Sequence, residues 1–134
     1  MNLLLDTHVL IWALTEDARL SDMARELILD PANAIYYSAA SLWEVSIKHT
    51  RHPESLEFTG RELAAYCREA GFLPLDIRDR HIYALEALSR SQVLPPHNDP
   101  FDRILLAQAK VEGMAFLTHD SMIPGYNESC VISV

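Results

Sequence analysis

The stretch NLLLDT at residues 2–7 decides the fold that we predict for this sequence. Its leucines follow one another without the polar alternation that a strand with one wet face shows. Such a run is typical of a strand buried on both faces, as in the middle of a parallel sheet. Asp6 then lies where this strand ends, and in open α/β sheets ligands bind at the carboxyl ends of the strands.

The composition is that of a globular protein with an ordinary core. The 134 residues are 49% hydrophobic and 22% charged, and we expect a single domain over 1–134. A formal net charge of −8 argues against a general nucleic-acid binder but leaves room for carboxylates around a cation. Cys67 and Cys130 form no CxxC or disulfide-rich pattern, which favours reduced, mostly buried thiols in a cytoplasmic protein. We see neither a membrane span nor a signal peptide.

Short apolar segments alternate with longer helical ones along the chain. After the first strand, we expect strands at 34–38, 72–75, 114–118 and 130–134. Helices are predicted at 9–14, 21–29, from 38 or 41 to 49, 59–70, 79–89 and 100–112. The inner side of the 79–89 helix is expected to carry Ile82, Ala84, Leu85 and Leu88. This alternation predicts an α/β fold, a parallel β-sheet flanked by helices on both faces as in a Rossmann-like three-layer sandwich.

This architecture gathers acidic residues at one edge of the sheet. A helix that follows a strand begins at the carboxyl end of that strand, so strand ends and helix N-termini share the edge. Glu44 lies in the early turns after the second strand, and Asp120 lies just past the fourth. Asp99 and Asp102 lie at the start of the helix that leads into the fourth strand. Together with Asp6, these acids predict a ligand-binding site at this edge of the sheet.

The acids at the start of the 100–112 helix also have a structural explanation. Asp99 suits the N-cap, Pro100 the first helical position and Asp102 the third, where a carboxylate interacts favourably with the helix dipole. Capping does not exclude metal binding, because the helix N-terminus keeps carboxylates in the ionised form that a hard cation binds.

Two readings of Glu44 stay open. Ser41 and Glu44 match the capping-box pattern S-x-x-E. If Ser38 caps the helix instead, Glu44 lies more than a turn inside, beside Trp43 and Val45, where an acid needs a partner.

Other polar residues give weaker evidence for a functional site. Thr118 and Asp120 point the same way if the strand continues that far, and a plain turn aspartate is the alternative. The histidines have no zinc-binding spacing. We therefore expect each to lie at the surface, or to contact a metal ligand without binding the metal itself: His8, His49, His52, His81, His97 and His119. We expect a solvated surface at four basic residues, with a basic rim as the alternative: Lys48, Arg51, His52 and Arg61.

An all-oxygen acidic cluster suits Mg²⁺ or Mn²⁺ rather than zinc or copper. Such a cation supports phosphoryl chemistry, because it activates water and neutralises charge on the leaving oxygen. It also lets a net-acidic protein accept a polyanion. Motifs of serine hydrolases and Gly-rich phosphate loops are absent, since the sequence has no GxSxG, P-loop or GxGxxG.

Four segments together resemble PIN-domain proteins, and more narrowly the VapC-type toxins of bacterial toxin–antitoxin pairs. They are LLDT at 4–7, SLWE at 41–44, HNDPFDRILLAQA at 97–109 and LTHD at 117–120. They occur in the right order over nearly the whole chain, and the block at 99–109 is the most specific. The resemblance implies a metal-dependent endoribonuclease that forms a homodimer and is neutralised by a cognate antitoxin, whose tail occludes the site.

The resemblance also implies roles for individual residues. The catalytic acidic quartet, which would bind Mg²⁺ or Mn²⁺, corresponds to Asp6, Glu44, Asp102 and Asp120. Asp99 would support this quartet or be an alternative ligand, and Thr7 and Thr118 match hydroxyl residues beside the acids. Arg103 is expected to steady the carboxylates or meet phosphate, with a surface salt bridge as the plainer reading.

Three other functions compete with this one for the same acids. A haloacid-dehalogenase-type phosphatase needs an aspartate two residues after Asp6, where His8 stands. A receiver domain fits Asp6 and Asp76, but no lysine lies near the last strand. The remaining alternative is a PIN-like module that binds RNA or a partner protein without significant catalysis, and an intact quartet favours the enzyme.

Overall fold

The chain folds around a five-stranded sheet in which all neighbouring strands are parallel. The structure is a computed structural model that describes residues 1–134. The strands are β1 (Asn2–Leu5), β2 (Ala34–Ser38), β3 (Leu73–Leu75), β4 (Ala115–Thr118) and β5 (Val131–Ser133). Their order is β3-β2-β1-β4-β5, so the leucine-rich β1 lies in the centre as expected.

Helices cover both faces of this sheet. They are α1 (Thr7–Thr15), α2 (Asp22–Leu29), α3 (Ala39–Arg51), α4 (Gly60–Glu69), α5 (Asp79–Leu85), α6 (Pro100–Glu112) and a short 3₁₀ helix (Ile123–Tyr126) that the sequence did not predict. None of the helices combines the length and the apolar character needed to cross a membrane.

β1 separates two apolar clusters. Leu3 and Leu5 pack in one cluster with residues from α1 to α4, whereas Leu4 packs in the other with residues of α6. All three leucine side chains are fully buried. This is the alternation expected when successive side chains of a strand point to opposite faces. The predicted α/β sandwich with helices on both faces is confirmed.

The chain reverses its direction of travel across the sheet at β1. From β1 it passes to β2 and β3 on one side, and it then returns to form β4 and β5 on the other side. At such a switch point the connections leave in opposite directions, which opens a crevice at the carboxyl ends of the two central strands. Asp6 follows β1 and Thr118 ends β4, so both lie at this crevice.

Hydrogen bonds settle the open question about the start of α3. The Ser38 hydroxyl accepts a hydrogen bond of 3.0 Å from the backbone N–H of Ala40, so Ser38 is the N-cap. Ser41 makes no capping box with Glu44, and its hydroxyl lies 2.9 Å from that of Thr7. Glu44 is therefore inside the helix and buried, which is the situation that requires a partner for its charge.

The predicted helix at 79–89 is shorter and oriented differently from our expectation. It ends at Leu85, and Ile82, expected on the inner side, is 48% exposed. The side chain that is fully buried there is His81, so the expected placement of every histidine on the surface or near the site is wrong. His81 tolerates burial because its Nδ1 accepts from the Arg78 N–H at 2.9 Å and its Nε2 lies 3.2 Å from the Glu112 carboxylate.

A buried glutamine joins α6 to the strand ends. The Gln108 side chain is fully buried, and its Oε1 accepts a 2.6 Å hydrogen bond from the Ser38 hydroxyl. Its Nε2 donates to the carbonyl of Asp76, which follows β3, at 3.2 Å. Both polar ends of this side chain are thereby satisfied without water, and α6 is held at a fixed height along the sheet.

Replacing this glutamine should lower stability more than replacing an exposed one. We expect Gln108→Ala to reduce the free energy of unfolding by about 1–3 kcal/mol for each polar group left unpaired in the core. Urea denaturation followed by circular dichroism measures this loss. Gln92→Ala, at an exposed position, is the control and should change stability by less than about 0.5 kcal/mol. Equal losses in the two variants would contradict the role given to Gln108.

Candidate metal centre

Asp6 is held in place by the ends of two strands. Its side chain is 3% exposed. Oδ1 accepts a 2.7 Å hydrogen bond from the Thr7 backbone N–H, and Oδ2 accepts a 2.6 Å bond from the Thr118 hydroxyl. Burial raises the pKa of Asp6 although both hydrogen bonds oppose the rise, and the nearby charge of Glu44 adds to it. Asp6 is thus an oriented carboxylate whose ionised form gains from a cation nearby.

Thr118 also positions Asp120. The strand ends at Thr118, so the orientation of Asp120 follows from a turn rather than from the alternation that a longer strand would give. The Thr118 hydroxyl oxygen accepts from the backbone N–H of Asp120 at 3.0 Å. Asp120 Oδ1 accepts from the N–H of Met122 at 2.8 Å. One hydroxyl group therefore connects the Asp6 carboxylate, after β1, to the backbone of Asp120, after β4.

Asp102, in the first turn of α6, lies close to Asp6 and Asp120. Ligand atoms of His97, Asp102 and Asp120 all lie within 4.8 Å of one another, close enough for one metal ion. Burial, followed by the charges of Asp6, Asp99 and Asp120 and a hydrogen bond with Asp120, raises the pKa of Asp102 to about 8. Acids drawn from separate segments thus repel one another at this edge of the sheet.

Glu44 provides a test of whether a cation fits. Its side chain is buried, and Oε2 accepts a 2.8 Å hydrogen bond from the Lys48 ammonium group one turn along α3. Oε1 is also buried but has no hydrogen-bond partner. A buried carboxylate oxygen without a partner is costly and is explained when an ion occupies the site. Because the donors here are mainly carboxylates, the residues fit a divalent cation.

The comparison with known proteins agrees with this geometry. The sequence matches the family described as PIN domain over residues 3–128. The chain belongs to the PIN domain family. The predicted family is therefore confirmed, and the matched range contains every acid described above.

Among solved structures, the fold of this PIN domain is similar to that of a chain in the crystal structure of VapBC2 from Rickettsia felis bound to a DNA fragment from their promoter. The sequences are 14% identical, and the TM-score is 0.64. The alignment covers 100% of this chain and 98% of that chain. At this identity the likeness concerns the fold. No curated protein matches the chain in sequence.

Two other predicted site residues, Asp99 and Thr7, contact the acids in different ways. Asp99 is the N-cap of α6, accepting from the N–H groups of Phe101 and Asp102, and it is exposed. Its charge nevertheless contributes to the raised pKa of Asp102. Thr7 reaches Asp6 through its backbone, whereas its hydroxyl pairs with that of Ser41. Asp99 and Thr7 therefore lie next to Asp102 and Asp6, and their roles in the site stay predictions.

The plainer reading of Arg103, a surface salt bridge, is wrong. No carboxylate lies within ion-pair distance of its guanidinium, its Nε is buried without a hydrogen-bond partner, and an Nη atom lies 3.5 Å from the Leu85 carbonyl. Arg103 lines a cavity of about 410 Å³ together with His97 and Tyr126.

Sequence reasoning did not single out His97 and Tyr126. The His97 side chain is 7% exposed, and its Nε2 lies 3.1 Å from Asp102 Oδ2. Its Nδ1 lies 2.7 Å from the Tyr126 hydroxyl. The position of His97 at the start of the HNDPFDR block was the one available indication, whereas nothing near Tyr126 in the sequence points to the site.

The pKa of Asp102 predicts how stability depends on pH in the absence of metal. The folded-state pKa of about 8 lies above the ordinary value of 3.8. Between these values the folded protein keeps a proton that the unfolded chain has lost, so stability falls as pH rises through this window. Asp102→Asn removes the penalty. In EDTA, we expect its Tm to exceed that of the wild type by about 5 °C or more at pH 8 and the difference to disappear at pH 4.

Thermal unfolding followed by circular dichroism at both pH values tests this expectation. The control is Asp76→Asn, because Asp76 also follows a strand at the same edge but its side chain is 72% exposed. That variant should unfold like the wild type at pH 8. A Tm of Asp102→Asn below that of the wild type at pH 8 would show that the Asp102 charge does not destabilise the fold.

Proposed function

We propose that this PIN domain is a metal-dependent endoribonuclease, the VapC-type toxin of a type II toxin–antitoxin pair, which hydrolyses RNA phosphodiester bonds with Mg²⁺ or Mn²⁺. The observation that carries the proposal is the meeting of carboxylates from separate segments at the switch point of the sheet, where Glu44 Oε1 is buried without a partner. Membership of the PIN domain family and the likeness of the fold to a chain of a VapBC2 structure support it.

The proposed roles follow from how each acid is held. Asp6 and Asp102 are the principal ligands, since Asp6 is fixed by two hydrogen bonds and Asp102 is surrounded by the other negative charges. Glu44 and Asp120 complete the site by binding a second ion or by accepting a proton from the attacking water. When bound, the cation activates that water and neutralises charge on the leaving oxygen.

Neighbouring residues keep these acids ready for binding. Thr118 donates to the Asp6 carboxylate and accepts from the backbone N–H of Asp120, whose own carboxylate accepts from the N–H of Met122. The Lys48 ammonium group neutralises one oxygen of Glu44 and leaves the other free. Such preorganisation reduces the cost of gathering ligands when the cation arrives.

A local basic surface accounts for how an acidic chain can bind RNA. Lys48, Arg51 and His52 line one cavity beside Glu44. The positive charges of Lys48 and Arg51 lie where the phosphates flanking a scissile bond would pass, and phosphate contacts supply most of the affinity for nucleic acid. Arg61, the fourth residue considered for a basic rim, does not line this cavity.

An exposed aromatic residue lies at the same entrance. Trp43 precedes Glu44 on α3 and is 58% exposed, which is unusual for a tryptophan. Its ring meets that of Phe101 edge to face, with 5.0 Å between the ring centroids. A rigid, accessible indole beside basic residues suits stacking with an unpaired base of single-stranded RNA.

The proposed protein partners are a cognate antitoxin and a second copy of the chain, in the cytoplasm. A cavity of about 410 Å³ next to Thr7 has a partly apolar lining that includes Ile11, Trp12, Val45 and Leu56. Arg19 and Lys48 also line it. A segment with apolar side chains and an acidic group would fit this lining, and the tail of an antitoxin bound here would lie beside the acids and block access to them.

Replacing Asp6 tests the proposed activity. We expect Asp6→Asn to lower the rate of RNA cleavage by at least about a hundredfold, because the amide cannot supply the charge that the cation requires. The protein is purified free of antitoxin and incubated with total RNA and Mn²⁺, with EDTA as a second control. Asp76→Asn, the exposed acid at the same sheet edge, should keep wild-type activity.

The same experiment separates the two candidate functions. Unchanged cleavage by Asp6→Asn would refute the role of Asp6. RNA binding by the wild type without any Mn²⁺-dependent cleavage would favour the alternative, a PIN-like module whose role is to bind RNA or a partner protein. Circular dichroism spectra of the variants establish that each is folded before activity is compared.

Arg51→Ala tests the proposed RNA surface. If Arg51 contacts one phosphate, its loss should make the slope of log K against log salt concentration less steep by about 0.7 for single-stranded RNA. The slope is measured by fluorescence anisotropy in the Asp6→Asn background, which prevents cleavage, at a fixed Mg²⁺ concentration. Arg68→Ala, an exposed residue of α4 away from the cavity, is the matched control. An equal effect of both substitutions would indicate general charge rather than contact with phosphate.

A further inference from the structure

The hydrogen bonds around His97 fix its tautomer. The Tyr126 hydroxyl lies 3.1 Å from the backbone carbonyl of His97 and 2.7 Å from its Nδ1. A carbonyl oxygen only accepts, so the single phenolic proton belongs to that bond. The hydroxyl oxygen then accepts from Nδ1, which must carry a proton. Nε2 is therefore the ring nitrogen whose lone pair is available to a cation.

This lone pair points at the acids. Nε2 lies 3.1 Å from Asp102 Oδ2, and the ligand atoms of His97, Asp102 and Asp120 fall within 4.8 Å of one another. Without a metal ion, a proton between Nε2 and Oδ2 holds these two atoms together, and a cation can take the place of that proton. A histidine whose distant nitrogen donates to a neighbouring group while the near one faces carboxylates has the arrangement typical of a metal ligand.

Arg90 holds in place the two segments that carry His97 and Tyr126. The Arg90 Nε donates to the carbonyl of Pro95 at 2.9 Å, and its guanidinium lies over the Tyr126 ring, 5.6 Å from the centroid. Another guanidinium nitrogen donates to the carbonyl of Met122. Arg90 thereby fastens the loop that carries His97 to the 3₁₀ helix that carries Tyr126. Gly125 permits this contact, because a side chain there would collide with the guanidinium.

We propose that His97 Nε2 is a direct ligand of the divalent cation, with Tyr126 as the residue that positions it. The inference rests on the cation site of the proposed function and adds nitrogen to a donor set that was expected to contain oxygen alone. Mg²⁺ strongly prefers oxygen ligands, whereas first-row transition ions accept imidazole readily. The site therefore selects Mn²⁺ over Mg²⁺ more strongly than four carboxylates would.

Pulsed electron paramagnetic resonance of the Mn²⁺-loaded protein tests the proposal without RNA. Electron spin-echo modulation should show coupling of Mn²⁺ to the ¹⁴N nucleus of an imidazole in the wild type. In His97→Gln we expect this coupling to be lost and the affinity for Mn²⁺ to fall by at least about tenfold. The affinity for Mg²⁺, measured by competition, should change by less than about threefold.

Two further variants distinguish ligation from a structural role. Tyr126→Phe should keep the nitrogen coupling while weakening Mn²⁺ binding by about tenfold, since it removes only the group that orients the ring. His49→Gln is the matched control, because His49 is partly buried and hydrogen-bonded to the Leu56 carbonyl on a different surface. It should leave both the coupling and the affinity unchanged.

The proposal is overturned if the wild type binds Mn²⁺ without nitrogen coupling, or if the coupling persists in His97→Gln. Equal losses of Mn²⁺ and Mg²⁺ affinity in His97→Gln would also overturn it, because a structural histidine would affect both ions alike. Mn²⁺-dependent RNA cleavage with oxygen ligation alone would leave the proposed function intact and remove only this inference. A wild-type spectrum without nitrogen coupling overturns the proposal even if a variant fails to fold.

Discussion

A hydrogen bond of 2.6 Å from the Thr118 hydroxyl to the Asp6 carboxylate joins residues that lie 112 positions apart in the chain. It forms because β1 and β4 are neighbours in the sheet and end at the same level, with Leu5 paired to Leu117. Through the same hydroxyl oxygen it also sets the position of Asp120. The site therefore depends on the register of two central strands, and a slip between them would separate both carboxylates.

Negative charges gathered at this edge have to be balanced. The fold provides partial balance through hydrogen bonds to Asp6, through the Lys48 partner of Glu44 and through the proton that Asp102 holds in the absence of a cation. Each of these interactions offsets part of the repulsion between the carboxylates. None of them provides a hydrogen-bond partner for Glu44 Oε1. A protein that needed only stability would replace these acids by apolar residues. The presence of all these acids in one crevice, at a cost in stability, is the physical reason to regard the arrangement as functional.

Features that depend on neighbouring residues could be predicted from the sequence. The second strand at 34–38 and the helix at 100–112 have the predicted bounds, because β-branched and aromatic residues mark the strand and Asp99-Pro100 and Gly113 mark the helix ends. The convergence of acids followed from a single premise, that parallel strands end at one edge. Glu44 and its neighbour Lys48, four residues apart on a helix, form a pair that the spacing alone allowed.

Features that depend on distant partners could not be predicted. His81 is buried because Glu112 approaches it from α6, and His97 is oriented by Tyr126, 29 residues further along. Neither partner lies near enough in the sequence to show a pattern. Arg103 was misjudged for the same reason, since the carboxylates that a charged helix residue usually finds are absent around it. Long-range polar contacts are thus the part of this site that only coordinates reveal.

The position of β1 in the middle of the sheet has a consequence for synthesis on the ribosome. The first strand emerges with Asp6, but its second neighbour, β4, is made more than a hundred residues later. Contacts of such large sequence separation form late, because closing the long intervening loop costs conformational entropy. A nascent chain therefore carries scattered acids without an assembled centre. The carboxylates that follow β1 and β4 come together only after β4 has been synthesised.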